Sequence, residues 1–193
     1  MDASNLGSRD KLQMAAIHLI AEKGYNGVTT LEIAAAAGLS EKTLFRHFGS
    51  KQKLLEAAFD RYHYAEEMKK LFAEKLVWEL EDDLLLITKS YHDIMNRNRK
   101  MIQISLKEDL PGFRERTQRH PRQLLEFLTD YFIEMAARGS IRSDQPEMHA
   151  FSFMMMQFGA FMNDLDSRTN YSTIGLEPFI EESVKVFARA LKP

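Results

Sequence analysis

Apolar residues recur along this chain at intervals of three and four, the spacing of one helical face, and no segment reads as a strand. Leu12, Ala15, Ala16, Leu19 and Ile20 form the first stripe, with Ser8 as a candidate N-cap and Gly24 as its stop. Leu31, Ile33, Ala34 and Ala37 form a short second stripe closed by Gly38, and Leu44 with Phe48 a third. A longer pattern runs from Ser50 through Leu54, Leu55, Ala58, Phe59 and Tyr62 toward residue 75. Further helices are expected at about 79–97, 99–109, from Pro121 to Gly139, at 144–165 and at 177–191. The pattern predicts an all-α fold of about nine helices.

Residues 29 to 51, TTLEIAAAAGLSEKTLFRHFGSK, organise the rest. Thr29 and Glu32 have capping-box spacing, in which hydroxyl and carboxylate each satisfy a free backbone N–H. Glycine tolerates the left-handed conformation of a helix C-terminus, so Gly38 ends this helix at little cost. Ser40 is a good N-cap for the helix that follows. A helix, a short glycine turn and a second helix make a helix-turn-helix, whose second helix enters the DNA major groove. Thr30, Ser40, Glu41, Lys42, Thr43, Phe45, Arg46, His47, Ser50 and Lys51 point away from the apolar faces. Hydroxyls and cations suit phosphate oxygens, and Lys42 or Thr43 can reach a base edge. Ser50 also reads as the N-cap of the next helix.

Residues 8 to 55 resemble the N-terminal domain of the TetR family of transcriptional regulators. AEKGY (21–25), Thr29-Thr30, Ile33-Ala34, AAGLS (36–40), TLFRHF (43–48) and Ser50-Lys51 carry the resemblance by their order and spacing. It implies a dimeric, ligand-responsive DNA binder, usually a repressor. Thr30, Thr43, His47 and Lys51 fall on family positions that touch DNA, mainly phosphate. Phe45 stands where the family usually has tyrosine, which removes a phenol oxygen from the phosphate contact. The expected DNA-binding set is Thr29, Thr30, Ser40, Glu41, Lys42, Thr43, Phe45, His47 and Lys51, within a domain at 8–51. Residues 52–193 are expected to form the ligand-binding and dimerisation domain, joined to the first by a continuous helix.

Charge sharpens this expectation in one respect. Net charge is −2 over 193 residues, and the first 51 residues carry six Lys/Arg against five Asp/Glu. DNA binding must therefore rest on local arrangement rather than on a basic field. There is no cysteine, hence no disulfide or thiolate metal site. No apolar run approaches the ~20 residues of a membrane span, and no leader-like segment opens the chain. A cytoplasmic protein is expected. The six histidines form no i, i+4 pair, so no metal site is expected. No catalytic motif is present and no cofactor is expected.

Two regions of the C-terminal part have alternative readings. In FSFMMMQFGAFM (151–162), Phe151, Met155, Phe158 and Met162 make one stripe, with Met154 and Phe161 on an adjacent face. Being apolar on more than one side, this helix must be buried on more than one side. The family resemblance puts the last two helices in a four-helix dimer interface, here through Phe158, Met162 and Phe187. The same helix borders the family's ligand cavity, for which Tyr91, Met101, Leu128, Tyr131, Met155 and Phe158 are the candidates. Ordinary core remains the competing reading for the methionines; an adaptable apolar pocket is the sharper one. Residues 97–122 carry eight Lys/Arg against three acids; they are either a solvated surface or the mouth for an anionic headgroup. The expected function is a homodimeric repressor on a roughly palindromic operator, released by a small apolar or amphipathic effector. An activator, a regulator answering to a protein partner, and a helical enzyme are the alternatives.

Overall fold

The structure, a computed structural model, describes residues 6–60, 64–110, 113–165 and 173–193; side chains are described for these except 64, 65, 113 and 114. The described residues form ten α-helices and no strand: α1 Ser8–Lys23, α2 Thr30–Ala36, α3 Glu41–Phe48, α4 Lys51–Asp60, α5 Tyr64–Glu74, α6 Leu80–Arg97, α7 Arg99–Lys107, α8 Phe113–Ala137, α9 Pro146–Leu165 and α10 Leu176–Leu191. The count exceeds nine because the helix expected from Ser50 to about 75 is described as α4 and α5, on either side of residues 61–63. A frayed N-terminus over residues 1–7, a stop at Pro111-Gly112 and a polar loop after α9 were also expected; most of these residues, 1–5, 111–112 and 166–172, fall outside the described ones.

Two compact units result. The first comprises Met1–His63 with Asn98–Thr117, the second Tyr64–Arg97 with Gln118–Pro193. In the first, Leu12, Ala16, Ile20, Ile33, Leu44, Leu54 and Leu55 are almost wholly buried, and Met101 and Ile104 of α7 complete that core. The unit therefore runs past Lys51, because the apolar face of α4 and a later helix both pack against α1. In the second, Leu84, Ile87, Leu128, Phe132, Met135, Phe153 and Val184 lie at the centre.

Three boundaries differ from expectation. Helix α1 is preceded by Gly7 without a side-chain cap, so Ser8 is the first helical residue rather than the cap. Helix α8 begins at Phe113, eight residues before Pro121, which lies inside it. Proline forfeits one backbone bond in a helix interior, yet here it is exposed and the helix continues. The arginines at 116, 119 and 122 are thus on the early turns of a helix. Helix α9 opens on Pro146 at its first position, where the missing N–H is no loss.

On α9 the buried face is Ala150, Phe153, Met154, Gln157 and Phe161. The stripe chosen from sequence, Phe151, Met155, Phe158 and Met162, is exposed or half-exposed. Where a helix is apolar all round, periodicity does not select the inner face. Beyond its own helix backbone, no described residue lies within 4 Å of a Cβ built on Gly159, so no close packing among the described residues requires that glycine.

Candidate nucleic-acid interface and ligand cleft

In the first unit, backbone chemistry sets the angle between α2 and α3. Thr29 Oγ1 accepts from the Glu32 N–H at 3.1 Å while Glu32 Oε2 accepts from the Thr29 N–H at 2.8 Å. That backbone bond, with Lys23 Nζ at 3.0 Å, pushes the Glu32 carboxyl down to about 2. At the other end Leu39 N–H donates to the Ala34 carbonyl at 2.9 Å around Gly38, whose φ is 68°. A side chain at that φ would be strained, so the glycine is required. Ser40 Oγ then accepts from the Thr43 N–H at 3.2 Å and caps α3. The Thr30 hydroxyl donates to Glu41 Oε1 at 2.5 Å, tying α2 to the first turn of α3.

Helix α3 buries Leu44 and Phe48 and turns Lys42, Phe45 and Arg46 to solvent on the opposite face. Phe45 is 47% exposed, an unusual setting for a large aromatic. His47 is half-buried beside Phe48. Ser50 Oγ accepts from the Lys53 N–H at 3.1 Å and so caps α4, as its position suggested. Among the nine expected DNA-binding residues, Lys42 and Phe45 point outward and make no bond to another described residue. Thr29, Thr30, Ser40, Glu41 and Thr43 spend polar atoms on the helix ends instead.

Lys51 departs furthest from expectation. Its Nζ donates to the carbonyls of Tyr25 and Val28, each at 2.7 Å, and lies 4.1 Å from the Tyr25 ring centroid. Burial lowers its pKa. Two of its three protons hold the α1–α2 turn, which leaves one for a phosphate oxygen. Glu108, just past α7, fixes the same turn by accepting from the Tyr25 N–H at 2.8 Å.

In the second unit a small cleft with about 10 Å³ of free space, enough for one water molecule, is lined by Ile87, Thr88, Tyr91, Leu124, Leu128, Phe153, Met154 and Gln157. Of the six expected effector residues, Tyr91 and Leu128 line it. Met101 instead belongs to the core of the first unit, and Met155 is 39% exposed on the outer face of α9. Phe158 is half-exposed. Tyr131 is buried with its hydroxyl donating to Asp83 Oδ2 at 3.0 Å, which takes it out of a lining role. Burial, then the Asp83 charge, raises the Tyr131 phenol strongly. Asp83 itself, in the first turn of α6, is buried and also accepts from the Val77 N–H at 2.8 Å.

The lining residues that sequence reasoning missed follow from helical phase. Ile87 and Thr88 precede Tyr91 by four and three residues, Leu124 precedes Leu128 by four, and Gln157 follows Met154 by three. Behind the lining, His92 Nε2 meets Gln157 Oε1 at 3.3 Å, and Gln157 Nε2 donates to Ser183 Oγ at 3.1 Å. Burial lowers the His92 pKa and outweighs the opposing pull of Gln157, Asp164 and Asp93. The basic run is partly spent on local pairs. Arg97 bonds Glu67 at 2.5 Å, Arg116 reaches Asp60 at 2.6 Å, and Lys100 contacts His18.

The family described as "Bacterial regulatory proteins, tetR family" matches residues 14–58. The chain is 30% identical over 181 residues to the uncharacterized HTH-type transcriptional regulator YvkB of Bacillus subtilis, covering 92% of this chain and 93% of that one. It belongs to the TetR family of transcriptional regulators. The HTH-type transcriptional repressor AcnR of Corynebacterium efficiens is 28% identical over 91% of this chain and 90% of its own. Among solved structures, the regulator FadR of Bacillus subtilis, in complex with stearoyl-CoA, superposes with a TM-score of 0.70 at 18% identity. That match covers 93% of this chain and 97% of FadR. This TetR-family protein is thus a DNA-binding transcriptional regulator rather than an enzyme. No helix among its described residues is long and apolar enough to cross a membrane.

Proposed function

We propose that this TetR-family protein is a cytoplasmic, homodimeric repressor, released from a roughly palindromic operator by a small apolar or amphipathic effector. Lys42 and Arg46 face the major groove in this reading and the Phe45 ring lies along the backbone, while Thr30, Thr43, His47 and the remaining Lys51 proton meet phosphate. Met148, Phe151 and Met155 of α9 and Val186 of α10 form exposed apolar surface that a second copy would cover. Two copies would set two α3 helices one helical turn of DNA apart. The observation that carries the effector half is the cleft wall, five hydrocarbon or aromatic side chains with no charged residue. Repression in AcnR and the stearoyl-CoA of FadR agree with this reading. Helix α6 runs from the cleft to Arg97 and α7 starts at Arg99, so displacement of α6 would pass directly along the chain to the first unit. Ligand and operator then oppose one another reciprocally, typically by ~1–3 kcal/mol.

A second reading, control by a protein partner without a metabolite, is favoured by the cleft's size. Its free space of about 10 Å³, enough for one water molecule, is far below the roughly 300–1,000 Å³ of ordinary ligand pockets. An effector must therefore spread the walls on entry. Selecting an operator from a random duplex pool and titrating long- and short-chain acyl-CoAs, fatty alcohols and aromatics into the complex separates the two. Release followed by anisotropy supports the effector reading; stabilisation of the protein by such compounds with the operator still held sinks it.

A further inference from the structure

The first turn of α1 carries a cation that the end of α3 holds in place. Leu12 and Ala16 of α1 share a core with Leu44 and Phe48 of α3. The Arg9 guanidinium carbon sits 4.7 Å from the centroid of the Phe48 ring, so the start of α1 lies against the last turn of α3. Phe48 is buried, whereas Arg9 is exposed. The face of a ring attracts a cation but offers no acceptor oxygen. The contact therefore fixes where the charge is and leaves its N–H donors for an anion.

Phosphate donors are short at this end of α3. His47 lies beside Phe48, with ring centroids 6.1 Å apart, and Ser50 and Lys51 follow the turn at Gly49. Lys51 gives two of its three protons to the carbonyls of Tyr25 and Val28, and Phe45 has no phenol oxygen. Of the six cations in the first 51 residues, Lys23 is committed as well, to Glu32 at 3.0 Å. Covering Phe48 needs only an apolar stem. A planar, charged head with five donors is the group that grips two phosphate oxygens at once.

We propose that Arg9 is a DNA-backbone contact from outside the helix-turn-helix, its guanidinium clamping a phosphate at the edge of the groove that α3 occupies, with the Phe48 ring as its platform. This rests on the placement of α3 given above. A phosphate contact carries no base information, so it strengthens operator and random duplex alike.

Arg9→Met keeps an unbranched stem over Phe48 and removes the charge and the donors, whereas Arg9→Lys keeps the charge. Anisotropy titrations of the full-length protein on the selected operator and on a random duplex, from low to physiological salt, test the contact. Arg9→Met is expected to weaken both duplexes about three- to tenfold at low salt. It should also lower the salt slope by about one counterion per protomer, while Arg9→Lys keeps the parent's slope. A parent-like slope in Arg9→Met overturns the proposal even if affinity falls, because a brace on Phe48 acts on the pose of α3 and not on counterion release. The same fall in slope for both variants overturns it too. Lys42→Ala separates this contact from the placement of α3. A slope that falls for Lys42→Ala but not for Arg9→Met keeps α3 in the groove and makes Arg9 structural; the reverse keeps the Arg9 clamp and removes the outer face of α3 from the groove.

Discussion

The Lys51 ammonium is held 2.7 Å from the Tyr25 carbonyl oxygen, and the same Nζ reaches the Val28 carbonyl at 2.7 Å. Tyr25 is thus gripped twice, since its N–H also donates to Glu108 at 2.8 Å. The turn between α1 and α2 hangs from α4 on one side and from the residue after α7 on the other. Lys51→Ala is expected to cost about 1–2 kcal/mol of stability, because two charge-assisted bonds disappear and partly exposed carbonyls return to water. Urea unfolding checks this, with exposed Lys53→Ala as a control expected to stay within about 0.5 kcal/mol of the parent. If the two variants behave alike, the brace contributes nothing.

Phe45 and Lys42 probe the outer face of α3. Phe45→Tyr returns the phenol oxygen to a position 47% exposed and clear of the core. Operator affinity should rise about three- to tenfold, the effect of one added hydrogen bond to phosphate. Lys42→Ala should weaken binding and reduce the salt slope by about one counterion. Anisotropy titrations between low and physiological salt read both. An unchanged affinity for Phe45→Tyr would place that ring away from the backbone.

The N-terminal unit was legible because its signals are local. The Thr29–Glu32 box, Gly38 and the Ser40 cap each depend on residues within a few positions, and each recurs in the structure as hydrogen bonds. The intrachain bonds of Lys51 were not legible because its acceptors lie 23 and 26 residues earlier, and no pattern marks a carbonyl as available. In the second unit Tyr91 and Leu128 were found from their stripes, whereas Thr88 and Gln157 are polar and so invisible to hydrophobic periodicity. The burial of Asp83 was not legible either, since its partner Tyr131 lies 48 residues away. Met155 was lost to a choice between two apolar faces that only the packing of α9 could decide.

His92 gives the second unit a dependence on pH. Folded, burial holds its pKa below the ordinary 6.5. Below that value the unfolded chain takes up a proton that the folded ring refuses, so the unfolded state binds more protons and stability rises with pH. The contribution is fully present above 6.5 and is lost as pH falls toward the folded pKa, by up to about 1.4 kcal/mol per pH unit. Glu32, with its carboxyl down at about 2, acts only below its ordinary 4.5 and does not interfere. Urea unfolding at pH 5.5, 6.5 and 7.5 should show a steeper loss for the parent than for His92→Gln. Equal slopes would mean that the buried ring accepts a proton without penalty.

The dimer prediction turns on choosing residues that the chain itself does not need. Phe187 fails that requirement. Its ring lies 4.9 Å from Phe153 and 6.1 Å from Phe132, both in the core, so Phe187→Asp would unfold the second unit whatever the assembly state. Val186 is 56% exposed and Met155 39%, on α10 and α9. A carboxylate at either is solvated in a free protomer and costs little, but at the centre of an isologous interface it is buried twice, once per copy, without a cation. Val186→Asp and Met155→Asp should therefore keep the parent's helical content and sediment as monomers. Operator affinity should fall at least tenfold, because one α3 reads only half a palindrome. Gly159, exposed and unapproached by the other described residues, supplies an independent arm. Gly159→Leu should weaken the dimer if that face meets its copy closely, and should leave the isolated fold intact, since glycine is the poorer helix former. Three folded variants that remain dimeric in sedimentation would move the interface off α9 and α10 and leave this apolar surface to another occupant.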